Sequence, residues 1–528
     1  MADRSQRKHG SVTYREVGDE YFQQRGLRRH AGAWSLWALG VAAVISGDFS
    51  GWNFGLGAGG FGGLLIATIA ITIMYVGLCY SIAEMSPALP HTGGAYSFGR
   101  SAMGPWGGFI TGLGENIEYV VTPAVVVFFA GFYAQSVVSE LFGWTIPQPW
   151  YWLFFYVIFV GLNIVGIEAT LRFSVVICLL SLAVLAIFFV ASIPKFDAGL
   201  LTNLPPDPGE SDFLPRGIGG IFKALPFAIW FYLAIEELPL AAEESHDPRR
   251  DIPKGTLYGL LTLIVTAFLV LFLNTGVTGV DPDTTVEGVA GIAASGEPLL
   301  DGFRVIFGSE TAAALLGLFA LTGLIASFHT IIFAYGRNIF SLSRAGYFPH
   351  FLSITHGERR TPHVALILGA IVGYALCWLL YKNAAGTGVG DALLTMAVFG
   401  AVISYFMQML SFILLRRNLP NIERPYRSPI GVAGAAVAGV IALVSLVSLY
   451  LDDAYRPGVI GVATWFVVAV LYFAIAGRNR LVLSPEEEFA LTRGEQGVPG
   501  ETYVTSEEAQ EAILRGGTTG TPPQTPPD

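Results

Sequence analysis

Few residues in this chain could do chemistry, and they sit where charge is costly. Asp48 lies in "VISGDFSGWN" (44–53), and Glu236 and Glu237 lie in "WFYLAIEELPLAAEE" (230–244), both otherwise apolar stretches. Glu115 and Glu118 in "GLGENIEYVVTP" (112–123) are one helical turn apart and so share a helix face. A carboxylate at mid-membrane costs on the order of 3 kcal/mol, so it is normally paired, hydrated or functional. The chemistry open to these groups is cation binding and proton exchange. His329 in "LIASFHTIIFAYGR" could shuttle protons or pack as a neutral, hydrogen-bonded ring. Trp230, Phe231 and Tyr232 could wall a cavity, since aromatic faces attract ammonium groups.

The elements that must position these groups are membrane helices. Of the 528 residues, 53% are apolar and 13% charged, against about a quarter charged in soluble domains. Apolar runs long enough to cross a core of about 30 Å predict twelve spans, near 33–56, 61–87, 104–138, 149–170, 172–194, 217–242, 255–277, 311–343, 364–382, 391–415, 431–451 and 457–476. The runs are about twice the length of a barrel strand and apolar on all sides. The expected class is therefore an all-α polytopic membrane protein in the lipid bilayer. No small-residue cleavage site follows the first apolar run, so no removable signal peptide is expected. With the N-terminus inside, 24 of the 30 Lys and Arg fall on the cytoplasmic side and five outside. That bias predicts a multi-pass protein of the cytoplasmic membrane with both termini cytoplasmic.

Residues 1–32 read as a basic cytoplasmic arm, and 477–528 as a polar tail too poor in apolar residues to fold alone. "SPEEEFALTRGEQ" within that tail reads as a short surface helix. The first and sixth spans are interrupted in corresponding places, at "SGDFSGWN" and at the paired carboxylates with Pro239. Breaks five spans apart predict two inverted repeats, 33–194 (spans 1–5) and 195–415 (spans 6–10), with 416–476 (spans 11–12) outside them. A broken helix exposes backbone groups that lipid cannot satisfy, so it must face protein or a hydrated cavity.

The candidate substrate-binding residues are therefore Ser46, Gly47, Asp48, Ser50, Gly51, Trp230, Ala234 and Glu236, with Trp230 and Phe231 as gates. The alternative for Asp48 is an N-cap on the amides of Ser50 and Gly51. Adjacent helical residues point in different directions, so Glu236 and Glu237 are not expected to share a cavity; an ion pair or helix cap is the alternative for each. Candidate coupling residues are Glu115, Glu236, Glu237 and His329 for protons, and Ser327 and Thr330 for sodium or for bonds within their own helix. Cys79, Cys178 and Cys377 lie in spans without metal-ligand spacing. No phosphate loop, metal cluster or nucleophile elbow is present, and "GLGAGGFGG" matches no dinucleotide fingerprint. No enzyme activity, catalytic residue, cofactor, metal or nucleic-acid partner is expected.

Three segments carry a resemblance across about 33–476. "AEMSPALPHTGGAYSFGRSAMGPWGGFITG" (83–112), "AEESHDPRRDIPKG" (242–255) and "RNIFSLSRAGYFPHFLSITHGERRTPHVAL" (337–366) together resemble the amino acid-polyamine-organocation transporter superfamily. The resemblance implies a five-plus-five inverted fold and transport by alternating access. Counting back from Pro248, it sets Glu236 on the family's sixth-span glutamate and Trp230 on a gating aromatic. The family often has glycine just before this region, whereas here the chain reads Leu233-Ala234-Ile235. Some relatives carry a lysine in span 5, and this chain has none there. "VISGDFSGWN" and "AAEESHDPRRDIPKG" look most like the ethanolamine permease branch.

Family carriers of amino acids receive the α-carboxylate at the first break, where Asp48 here adds a negative charge. Two like charges about 4 Å apart at a dielectric of about 20 repel by roughly 4 kcal/mol, near a thousandfold in affinity. An amine without a carboxylate fits better. The expected function is import of ethanolamine or a related small cationic amine with proton coupling, sodium being the alternative ion. A cationic amino-acid or polyamine permease or exchanger is a second possibility, and an amine-binding membrane sensor a third, from a different class.

Overall fold

A computed structural model of the chain describes residues 6–493 except 16, 18, 26, 28, 279–286, 308–309, 384–387, 452 and 454. Apolar length dictates its helices, because lipid leaves a peptide group unsatisfied and a helix satisfies its own. Among the described residues, eleven helices are long and apolar enough to cross a membrane, and the shorter apolar helix Ala33–Phe49 supplies a twelfth.

Span 1 is Ala33–Val44 with a further turn, Ser46–Phe49. Span 2 lies in Phe54–Ala88 and span 3 in Ala95–Phe142. Each of those two helices contains a glycine with left-handed φ, Gly60 (+68°) and Gly104 (+77°), which breaks it. The breaks fall beside the predicted span starts at 61 and 104. Spans 4 and 5 are Gln148–Val165 and Ile167–Ser192. Span 6 is Gly217–Trp230 continued by a 3₁₀ helix, Ile235–Glu244. Spans 7 to 10 are Pro248–Gly276, Glu310–Arg344, His363–Asn383 and Val389–Asn418. Spans 11 and 12 are Gly431–Ser448 and Arg456–Ile475.

Span 3 packs along spans 8 and 10, and span 2 along the first half of span 6 and span 7. Span 1 lies against spans 7, 5 and 8. Spans 11 and 12 pack outside this core, against span 10, with span 11 also touching span 2. The two broken helices, spans 1 and 6, meet at their breaks.

Both ends of the described chain gather on one side, here termed the terminal face. Strands β1 (Gln6–His9) and β2 (Val12–Arg15) form an antiparallel hairpin, and β3 (Leu481–Val482) joins β2 in parallel, Tyr14 opposite Leu481. The predicted surface helix exists at Pro485–Thr492, but Glu486, Glu487 and Glu488 on it are buried. The tail is therefore folded as far as Arg493, contrary to expectation, because its acids find partners from distant segments. The remainder of the predicted tail, 494–528, lies outside the described residues.

Candidate functional site

The site begins where two helices stop. In span 1 the turn Ser46–Phe49 ends at Ser50, which is extended (φ −164°, ψ 155°), and Gly51 follows at φ +94° before helix resumes at Phe54. The break thus lies at 50–53, slightly beyond the centre of the predicted segment, and Asp48 sits in the last helical turn before it. In span 6 the helix ends at Trp230, and Ala234 takes a left-handed φ of +85° before the 3₁₀ turns, which contain Pro239. Ala234 therefore adopts the backbone that glycine reaches without steric cost. A ten-residue 3₁₀ run is unusually long, and such runs inside helices mark hinges or strain.

The two breaks pack directly on each other. A Cβ on Gly47 would come 2.3 Å from the Trp230 carbonyl oxygen, and one on Gly51 2.7 Å from Trp230 Nε1. Only glycine allows this approach. The indole of Trp230 donates to the Ser50 carbonyl at 2.9 Å. Phe231 stacks on Trp52 with ring centroids 5.5 Å apart. Both predicted gate residues are buried, so the aromatics close the junction.

Asp48 is 1% exposed, and neither carboxylate oxygen has a hydrogen-bond partner among the described residues. Thr266 on span 7 and Tyr232 on span 6 are neighbours, but the Thr266 hydroxyl donates to the Leu263 carbonyl and that of Tyr232 bonds Thr72 at 2.7 Å. The capping alternative is corrected here. The Gly51 amide donates to Asn53 Oδ1 at 3.1 Å, and the Ser50 amide to the Ser46 carbonyl at 3.0 Å. Asn53, two residues beyond the Gly51 amide, serves the break, and Asp48 does not.

A second acidic group forms where spans 3, 6, 8 and 10 meet. Tyr119 OH lies 3.4 Å from both Glu115 Oε1 and Glu236 Oε1, and Asn338 Nδ2 donates to Glu115 Oε2 at 3.3 Å. Tyr405 OH donates to Glu118 Oε1 at 2.9 Å, and Tyr75 OH donates to Tyr405 at 3.0 Å. Glu118 and Glu236 are neighbours in this cluster, and Oε2 of each has no hydrogen-bond partner among the described residues. Glu237 is fully buried, and among the described residues neither oxygen has a hydrogen-bond partner, so neither an ion pair nor a cap holds it there. Tyr75, Tyr119, Asn338 and Tyr405 were not among the sequence candidates; an isolated polar side chain in an apolar run was their one sequence signal.

Other predicted residues lie elsewhere. His329 packs between spans 4 and 5, with Asn163 3.1 Å from Nδ1, the Thr170 carbonyl 3.4 Å from Nε2, and Phe173 edge-on at 4.8 Å. The structure does not bring it to the acids. Ser46 Oγ donates to Ser327 Oγ at 2.9 Å, and Ser327 in turn donates to the Ala43 carbonyl. These bonds tie span 1 to span 8. Thr330 bonds carbonyls of its own helix, at Ala326 and Ser327.

The face opposite the termini is closed by the segment after span 7. Asn53 Nδ2 donates to the carbonyls of Ile292 (2.9 Å) and Ser295 (2.8 Å), and Ser50 Oγ to that of Gly296 (3.3 Å). Arg304 binds Glu140, Glu297 and Asp301 there. Burial raises the Glu297 carboxyl above its ordinary range, and bonds from Ser136 and Arg304 pull the other way.

The profile of the amino acid permease family matches residues 36–478. An uncharacterised transporter of Rhizobium meliloti is 28% identical over 85% of this chain and 92% of its own length. The branched-chain amino acid permease BcaP of Bacillus subtilis is 24% identical over 87% of this chain and 96% of its own. A D-serine/D-alanine/glycine transporter of Escherichia coli is 22% identical over 72% and 80%. Among solved structures, Mhp1, a nucleobase-cation-symport-1 family transporter in a closed conformation with bromovinylhydantoin bound, matches with a TM-score of 0.46. Its identity is 17%, over 86% of this chain and 95% of its own.

Proposed function

Because the chain belongs to the amino acid permease family, we propose that it is a secondary active transporter importing ethanolamine or a closely related small amine by alternating access, coupled to protons. In this proposal it sits in the cytoplasmic membrane with the terminal face inside, as the Lys and Arg distribution favours. The observation that carries the cargo assignment is Asp48, buried beside the first break with both oxygens unpartnered. A buried carboxylate without a counter-charge is completed by a proton or by a cation. An ammonium group does so, and Trp230 and Phe231 close over it. A substrate carboxylate at the same place meets the repulsion of roughly 4 kcal/mol estimated above.

Proton coupling falls to Glu118 and Glu236. Two neighbouring buried carboxyls favour holding one proton between them, since two carboxylates side by side repel. Tyr119 has one hydroxyl proton for two flanking carboxyl oxygens, so a second proton can be taken up by Glu115 or Glu236. His329 is left without a coupling role because it packs away from this cluster, whereas Glu237, buried next to Glu236 in sequence, stays a candidate proton carrier.

Labelled ethanolamine uptake into proteoliposomes, with proton and sodium gradients imposed separately and amino acids as competitors, tests the proposal. Uptake driven by an inward proton gradient is expected. Failure of excess ethanolamine to bind or compete would overturn the cargo assignment, and a selective block by lysine, arginine or polyamines would favour a cationic amino-acid or polyamine carrier.

A further inference from the structure

Glu487 on the terminal face accepts four hydrogen bonds, and transport chemistry at the centre does not account for it. It is fully buried. Oε2 accepts from Tyr14 OH at 2.6 Å and from Arg100 Nε at 2.6 Å; Oε1 accepts from Tyr96 OH at 2.8 Å and from Tyr347 OH at 2.8 Å. Arg100 Nη2 also donates to Tyr14 OH at 2.9 Å. One side chain thus gathers β2, the start of the helix leading into span 3, and the link after span 8. Its neighbour Glu486 binds Arg344 at the end of span 8 and accepts from Ser341 at 3.2 Å. Arg344 reaches on to Glu243 at the end of span 6, at 2.6 Å. Phe489 adds an edge contact to His91, centroids 5.1 Å apart.

We propose that the helix Pro485–Thr492 is a latch that holds the terminal face closed, and that its release is a required step in opening that face. Alternating access moves the broken helices against the rest of the bundle around a fixed site. With the helix docked, Glu486 fastens it to Arg344, the residue that also joins the ends of spans 6 and 8 through Glu243, while Glu487 fastens it to the neck of span 3 and to the arm. The helix cannot leave this face until both glutamates let go. A buried carboxylate with four donors is a strong tie, because charge-assisted bonds are about twice as strong as neutral ones. It is also an all-or-none tie, since partial release would leave its charge buried and unpaired. The latch rests on the transport proposal and its orientation, so the test separates the three.

The readout is Cys79, which lies fully buried on span 2 beside Glu236. In a full-length chain with Cys178→Ser and Cys377→Ser, an impermeant maleimide is applied to inside-out vesicles and, separately, to right-side-out cells. Glu487→Gln is expected to raise Cys79 labelling from the inside by about fivefold or more, with labelling from outside unchanged. A chain ended after Ser484 should do the same. Unchanged inside labelling in both variants overturns the latch. An equal rise from both sides also overturns it, since the fold has then loosened. The substitution Arg493→Cys, at an exposed position, reports sidedness independently. Its labelling from outside would refute the orientation, and the latch would then be scored from that face. Neither result depends on which amine is carried.

Discussion

At the terminal face Glu84, Glu243, Glu244, Glu486 and Glu487 each meet a guanidinium, from Arg416, Arg344, Arg337, Arg344 and Arg100 respectively. In the centre Asp48, Glu115, Glu118, Glu236 and Glu237 are as deeply buried, yet none has an ion pair among the described residues. Residue type and burial do not separate the two groups; partner accounting does. A buried charge with a built-in partner ties helices together. One without a partner is completed by a proton or by cargo.

Substitutions at the two ends should therefore fail in different ways. The largest effect is expected from Glu244→Ala, which strands Arg337, held at 3.0 and 2.8 Å by the two Glu244 oxygens. Removing one partner of a buried pair costs about 3–5 kcal/mol, so thermal unfolding in detergent should shift sharply down or folded yield collapse. A stable Glu244→Ala chain would erase the distinction. Next comes Asp48→Asn, expected to weaken amine binding up to about a thousandfold with near-normal folding, read by titration against uptake. Unchanged uptake would leave Asp48 with no role toward cargo. Glu118→Gln should be milder: exchange of amine across the membrane persists, but accumulation driven by about one pH unit is lost, about tenfold, since 1.4 kcal/mol is a factor of ten. Retained accumulation would move coupling away from the Glu118–Glu236 pair. The smallest effect is Ala234→Gly, which relieves a left-handed alanine worth about 1 kcal/mol and should raise the melting temperature slightly. A fall would show that the Ala234 methyl packs usefully despite its backbone.

Much of the helical plan was legible because span length and apolarity are local properties, and because Gly51 and Pro239 mark breaks wherever the helices go. The location of Asp48 was also legible, as a charge in an apolar run. Its partners were not. Asn53 displaced it as the amide acceptor at Gly51 through turn geometry that spacing does not encode. The carboxyl cluster needs Tyr75, Tyr119, Asn338 and Tyr405 from four separate helices, and helical periodicity shows only which face a residue shares with its own neighbours. The same limit misled at "PEEEF". Three consecutive glutamates have the composition of a solvated surface, and only the fold supplies Tyr14, Tyr96, Arg100 and Tyr347 around one of them.

The parallel pairing of Leu481–Val482 with β2 bears on how the molecule is made. Synthesis runs from the hairpin onward, so the free edge of β2 waits, unpaired, while every span is inserted. Contacts so distant in sequence are slow to form, and open strand edges invite foreign pairing. The β2 edge is only four residues long, which limits that hazard, and the arrival of β3 closes it. In this chain the sheet is completed only after the membrane bundle has been threaded, so a folded arm is a sign of a finished molecule.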